Sequence, residues 1–422
     1  MKIIESDGDF NEFLELFKST TPSIYYLFSD NNKHPHNNKI SFLYIKMESD
    51  YLLPFNHNDC NNLNKRYLEL LKTDNKKYVW DTKSLYHIID FNNMVDINTL
   101  YYLKHNKEID LLSIENDTIK FYKNKFYDIQ NLNSAIPLMK QIEFLEKLSD
   151  ELNLDYSLEN EQYNEISNTL FNIENSGLYK TDKLVYTQYN PYTTTGRPSN
   201  RFGGTNYAAL NKEDGTRKEY ISRFGSMGRL IEFDYDAYHL RLIGDVIGYE
   251  FPPGPVHQHM ADIYGVDYKE AKILSFQYLY GGIPTKVVNK IDFFKQTKKL
   301  IDTLWERYKK NNYLNTDIYN RSIFDNNMVN MNSNKLFNYY IQSLETEMNM
   351  KMLKGLFNTM NQHKSKLALY NYDAFLIDFH SDDGVEYLQI LKTEMEQNGR
   401  FPVKVAWGKN YHEMNDVTNR FV

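Results

Sequence analysis

Two short apolar runs, far apart in the chain, each carry a lone aspartate to the end of a strand, and no other feature restricts the fold as strongly. Leu230-Ile231-Glu232-Phe233 runs straight into Asp234, after which Asp236 is placed to cap a helix carrying Tyr238, Leu240 and Leu242. Leu367 to Tyr372 and Phe375 to Phe379 are β-rich runs whose spacing predicts a tight hairpin joined by Asp373-Ala374. A chain with both must build a sheet whose edge bears carboxylates. Between them lie two helical stretches, Asp267 to Gly281 and Asn334 to Asn361. Downstream, Ser381 is placed to cap a helix that Gly399 stops, and Phe401 to Gly408 reads as a closing strand. In the first helix Lys272, Phe276 and Tyr280 stand four apart, so a cation and two rings share one face. That grouping suits a nucleotide, with the cation on its phosphates and the rings against base and sugar. Taken singly, the aspartates read as turn formers or caps and the stripe as an amphipathic face. Taken together, two carboxylates on neighbouring strand ends can hold two Mg²⁺ for phosphoryl transfer.

The rest of the chain bounds the setting. At 422 residues it has room for two or three domains. Its net charge of −7 would repel a polyanion, so any contact with nucleic acid must be local. Cys60, the single cysteine, has no internal disulfide partner, the N-terminus lacks the apolar run of a signal peptide, and no stretch approaches the ~20 apolar residues of a membrane span. The expectation is a cytoplasmic protein, neither secreted nor membrane-bound. From Ser23 to Phe55, short β-rich runs separated by turn residues predict a strand meander. A helix, a short strand at Lys77 to Trp80 and a helix from Thr82 to Ile89 follow, giving an α/β or α+β unit over the first ~110 residues. Asn116 to Asn133 reads as a connector; Ile136 to Leu148, then Ile166, Leu170 and Ile173, follow helical periods as packing faces.

Five ordered motifs resemble the family A DNA polymerases, the DNA polymerase I type. Asp234-Tyr235-Asp236-Ala237-Tyr238-His239-Leu240-Arg241 resembles the first palm motif, and Lys272 through Phe276 and Tyr280 to Gly281 the fingers motif. Tyr372-Asp373 resembles the last palm motif, Thr195-Gly196-Arg197 with Asn206 to Asn211 the segment upstream, and Asn338 with Gln342 the minor-groove readers. The resemblance implies an α+β right hand: a palm with an antiparallel sheet, helical fingers and a reduced thumb, preceded by an α/β RNase H-like exonuclease-type domain. The implied divisions are 1–115 for that domain, 116–182 for a helical connector or reduced thumb, 183–245 and 331–422 for the palm, and 246–330 for the fingers. It also implies metal ligation by Asp234, Asp373 and the Tyr235 backbone carbonyl, with two Mg²⁺ as cofactor. Lys272, Phe276, Tyr280, His239, Lys269 and His257 would contact the nucleotide. Arg197, Asn206, Arg241, Asn338, Gln342 and Tyr372 would contact primer-template DNA.

Departures from the pattern carry expectations of their own. His239 stands where the family keeps its ribose-excluding glutamate, and Ala374 where it keeps a secondary carboxylate. Tyr268 replaces a phosphate-binding arginine, with Lys269 next to it. Almost nothing separates Thr181-Asp182 from Val185, where a thumb would lie, so a partner such as a clamp, helicase or primase is expected to restore processivity. In the first domain Phe28-Ser29-Asp30 and Leu85 stand where proofreading needs carboxylates, which implies an inactive exonuclease. The 35 Tyr, 25 Phe and repeated Asn doublets are compatible with an AT-rich viral or phage genome. The leading expectation is therefore a DNA-templated DNA polymerase without proofreading, acting on dNTPs. A single-subunit RNA polymerase-like enzyme and a non-catalytic, polymerase-derived subunit are the alternatives.

Overall fold

The computed structural model describes residues 2–30, 32–57, 60–106, 157–324 and 331–421. The chain divides into two compact units, Met1–Asn175 and Ser176–Val422. The expected connector from Asn116 to Asn133 and the packing face from Ile136 to Leu148 lie outside the described residues.

In the first unit six strands form one mixed sheet: β1 (Lys2–Ile3), β2 (Ser23–Phe28), β3 (Ile40–Lys46), β4 (Asp50–Pro54), β5 (Lys77–Val79) and β6 (Met94–Asp96), in the order β1-β4-β3-β2-β5-β6. β2, β3 and β4 form the antiparallel meander that their alternating runs and polar turns dictate, while β1, β5 and β6 join in parallel. Helix α1 (Asp7–Lys18) is capped by Ser6, which accepts the Asp9 N–H, and buries Phe10, Phe13, Leu14 and Phe17, one face of a 3.6-residue period. α2 (Arg66–Leu70), α3 (Thr82–Tyr86), α4 (Ile97–His105) and α5 (Ser157–Ser176) complete the described unit, and Ile166, Leu170 and Ile173 of α5 are buried as their spacing predicts.

Three carboxylates of this unit find partners within it. Asp96 is fully buried, caps α4 by accepting from the Asn98 and Thr99 amides, and accepts from the Thr82 hydroxyl at 2.7 Å. Asp81 caps α3 through the Ser84 amide. Glu174 accepts from Lys83 Nζ at 2.7 Å and meets His87 Nε2 at 3.0 Å, pinning α5 to α3. Ligand atoms of His34, His87 and Glu174 lie within 4.8 Å of one another. A divalent ion there would face the Lys83 ammonium already on the carboxylate, and His34 Nδ1 accepts the His36 amide at 3.1 Å. With the Lys83 ammonium on its carboxylate, Glu174 acts as a polar pin between α5 and α3.

The second unit opens with a hairpin, β7 (Leu178–Lys180) and β8 (Lys183–Val185), and a small sheet of β9 (Tyr189–Asn190), β10 (Ser199–Phe202) and β11 (Thr205–Asn206). Its centre is an antiparallel five-stranded sheet in the order β15-β16-β12-β17-β18, built from β12 (Gly228–Tyr235), β15 (Lys366–Asn371), β16 (Ala374–His380), β17 (Val403–Gly408) and β18 (Asn415–Asp416). Helices α6 (Tyr238–Ile247), α7 (Val256–Tyr264), α8 (Tyr268–Gly281), α9 (Thr285–Lys290) and α10 (Asp292–Asn311) follow β12. A short hairpin, β13 (Tyr313–Asn315) with β14 (Ser322–Phe324), leads to α11 (Ser333–Met360), and α12 (Val385–Met395) follows β16. Phe293, Phe294, Ile301 and Leu304 of α10 share a core with Leu336, Phe337, Tyr340 and Ile341 of α11. From Ser343 to Met350 every residue of α11 is buried, so its polar members must find partners inside the protein.

Three local expectations are corrected. Asp236 does not cap α6: Ala237, in the left-handed region at φ 52°, occupies the cap, while Asp236 is ion-paired with Lys404 at 2.6 Å and accepts from Arg241 at 3.1 Å. Two cations on one carboxylate outweigh an exposed cap bond. Ser381 lies in a 3₁₀ turn and Gly384 precedes α12, which ends at Met395, before Gly399. The hairpin between β15 and β16 turns at Tyr372-Asp373, one residue earlier than the spacing suggests, with Tyr372 at φ 63°. Asn349 of α11, fully buried, donates to the Tyr372 carbonyl at 2.7 Å and accepts from the Tyr238 hydroxyl, which pins that turn.

Candidate active site

β12 runs antiparallel to both neighbours, and its register places Asp234 opposite Ala374 of β16 and Lys404 of β17. The next amide, Tyr235 N–H, donates to the Asp373 carbonyl at 3.0 Å. Two aspartates far apart in sequence are thereby brought to one end of one sheet, and both line a cavity of ≈ 410 Å³. Burial, then the charges of Asp373 and Glu232, push the Asp234 carboxyl up to about 7, against the pull of Lys212 and Lys404. Asp373 is also raised, by burial first and by Glu345 next. A pair of carboxylates held above their ordinary range by burial and like charge is a pair that a divalent cation would relieve.

The facing wall is α8, which Asp267 starts by accepting the Glu270 amide at 2.9 Å. Lys272, Phe276 and Tyr280 all line the cavity, with the two rings stacked at 6.0 Å and 18°. His257 of α7 joins them, 6.1 Å from the Phe276 ring. Burial, with Lys272 next, pushes its imidazole down to about 4, so it is neutral at pH 7, and its Nδ1 is buried without a hydrogen-bond partner among the described residues. His259, two residues on, lies against Phe251 at 6.4 Å and does not line the cavity, as positions two apart on a helix diverge.

The floor belongs to α6 and α11. His239 follows the Asp234 strand end, and its Nδ1 is hydrogen-bonded with the Tyr280 hydroxyl. Asn338, Gln342 and Glu345, at helical spacing on α11, face the cavity, and Gln342 donates to Asn338 at 2.8 Å. Arg197 enters from the loop before β10, pairs with Glu345, and stacks its guanidinium over the Tyr372 ring at 3.8 Å. Among the residues singled out in the sequence, Lys269, Asn206, Arg241 and Tyr372 do not line the cavity. Arg241 is engaged by Asp236 and by the Gly254 carbonyl. Arg217 is buried, donates to the Leu210 carbonyl and lies over Tyr411.

Sequence reasoning missed Lys404 and Glu345, which line the cavity together with Tyr268, the residue at the place of a phosphate-binding arginine. Lys404 had one readable signal, its position in a strand next to the acidic one. Glu345 had none, because an acid on a long helix reads as surface until burial is known. Together the cavity offers a carboxylate pair for cations, lysines and a neutral imidazole for an anion, and two rings for a planar group.

No protein-family model matches the chain, and no curated protein matches it. Among solved structures it is similar to the POL domain of Pol1 from M. smegmatis in complex with DNA primer-template and dNTP, at TM-score 0.65 and 12% identity, over 98% of this chain and 99% of that one. The α+β fold is similar to that of this Pol1 polymerase domain. No helix among the described residues is long and apolar enough to cross a membrane.

Proposed function

We propose that the chain is a DNA-templated DNA polymerase that adds dNTPs to a primer 3′-hydroxyl. The observation that carries this reading is that Asp234 and Asp373, from two strand ends, line the same cavity as the Lys272, Phe276 and Tyr280 stripe. The fold match to a polymerase domain whose structure contains primer-template DNA and dNTP supports it.

Asp234 and Asp373, with the Tyr235 carbonyl, would hold two Mg²⁺, and their raised proton affinity fits such a load. When bound, the ions supply charge neutralisation at the phosphoryl and pyrophosphate oxygens and lower the pKa of the attacking hydroxyl. Lys272 would provide a fixed positive charge for the triphosphate and a proton donor for the departing pyrophosphate, while neutral His257 can offer a hydrogen bond without adding charge. Phe276 and Tyr280 pack against sugar and base. Arg197, Asn338 and Gln342 face the primer-template minor groove, whose acceptors are alike for all correct pairs, so fit is tested without reading sequence. Arg241 acts by holding Asp236 and the turn into α6. We assign 183–245 and 331–422 to the palm, 246–330 to the fingers and 116–182 to a connector or reduced thumb. We assign 1–115 to a non-proofreading exonuclease-type module: Leu85, where a carboxylate is needed, is buried in the core, and Asp81 and Asp96 cap helices.

Extension of a labelled primer on a template tests the reading. The wild-type chain with Mg²⁺ and dNTPs is expected to extend, and Asp373→Asn to lose roughly 10²–10³-fold or more of the rate. Equal extension by both, or none by either, would reject it.

A further inference from the structure

Glu345 has no part in the reaction as drawn above, yet it is buried at the floor of the cavity with a side chain 1% exposed. Its Oε1 accepts from Arg197 Nη2 at 3.3 Å. Its Oε2 lies 3.2 Å from Arg197 Nε and 3.2 Å from His239 Nε2, in ion-pair contact with both and in hydrogen-bond alignment with neither. Although burial raises its proton affinity, the charges of His239 and Arg197 outweigh burial and hold the carboxyl below its ordinary range. The groups it touches are cavity walls: the other His239 nitrogen meets the Tyr280 hydroxyl, Tyr280 stacks on Phe276, and Arg197 lies over Tyr372.

We propose that Glu345 is a positioning residue that fixes His239, and through it Tyr280, in the nucleotide-binding wall, tying that wall to Arg197 on the other side. The proposal rests on the polymerase reading for the identity of the ligand, but the link itself does not. The carboxylate is specifically required because both neighbours present nitrogens to it. An amide of the same size keeps the volume but turns a donor toward one of them or loses an acceptor. A carboxylate 1% exposed, with the Arg197 guanidinium and the His239 ring against it, holds their geometry more tightly than a surface pair can.

Two readouts test it on the full chain. The first uses no nucleotide: ¹⁵N spectra of histidine-labelled protein, with the His239 signal identified by its loss in His239→Gln. Glu345→Gln is expected to shift that signal. The second is equilibrium binding of dNTP to the chain on a primer-template ending in a dideoxynucleotide, which cannot react. Glu345→Gln is expected to weaken binding about tenfold, and the double variant Glu345→Gln with His239→Gln to bind no worse than His239→Gln alone, since coupled residues are not additive. An unmoved His239 signal in Glu345→Gln, or single effects that simply multiply, would overturn the proposal. If Glu345→Gln fails to fold, Glu345→Asp, which keeps the charge but withdraws it from His239, carries the same comparison. A wild-type chain that extends no primer rejects the polymerase reading, whereas the His239 spectrum still decides whether Glu345 holds that ring.

Discussion

Asp234 sits where its own strand, a neighbouring acid and burial all oppose its ionisation, so its proton affinity rises to about 7. In the unfolded chain the same group titrates near ~3.9. As pH rises from ~4 to about 7 the unfolded state has already released its proton while the folded state has not, and stability falls across that window. In EDTA at pH 8, Asp234→Asn should therefore melt higher than wild type, and the difference should shrink as pH falls toward ~4. Mg²⁺ should raise the wild-type melting temperature and leave that of Asp234→Asn nearly unmoved; a Mg²⁺ shift of equal size in both would reject ligation at this residue. His257 gives the opposite sign. Held neutral down to about 4, against an ordinary value of 6.5, it stabilises the fold above pH 6.5, and that contribution is lost as pH falls from there toward 4. His257→Gln should flatten the acid-side decline by on the order of 3 kcal/mol, measured by denaturant titration at pH 7 and pH 4.5. The acids and the lysine stripe stood out in the sequence because each is singular in its setting. Lys404 and Glu345 did not, since a lysine on a strand and a glutamate on a helix look the same whether they face water or a cavity.

At the level of elements, the carboxylate pair exists because β12 is the middle strand and its register with β16 and β17 is fixed. Gly228 opens that strand, and a Cβ placed there would stand 1.8 Å from Ser222 Oγ. Ser222 donates to buried Asp378 of β16, which also accepts from Arg223 Nε at 2.7 Å, so the glycine lets a charged network close over the strand start. Gly228→Ala should cost about 2–4 kcal/mol through overpacking and a broken buried network, seen as a lower denaturant midpoint at unchanged slope. A loss within error would show that the segment before β12 yields freely. The strands themselves were readable from period and turn residues. The α6 cap was not, because Asp236 has stronger partners from β17 and from its own helix than the amides a cap would satisfy.

Across the whole molecule, a net charge of −7 requires that the DNA contact proposed above be local, and on that proposal affinity should fall steeply with salt. Two-residue Thr181-Asp182 joins β7 to β8, which leaves no room there for a duplex-gripping insertion. Primer extension under a DNA trap should give short products from the bare chain, lengthened by an accessory protein; long products without one would refute the need for a partner. What the amino-acid sequence determined by itself was local: helical stripes, strand runs, and the kinds of residue that phosphoryl transfer requires, because periodicity and turn chemistry act over a few residues. Which side chains share the cavity was decided only by tertiary structure. Asp373, Lys404 and Glu345 reach Asp234 through strand register and the burial of α11, and those depend on packing between segments that no short window of sequence contains.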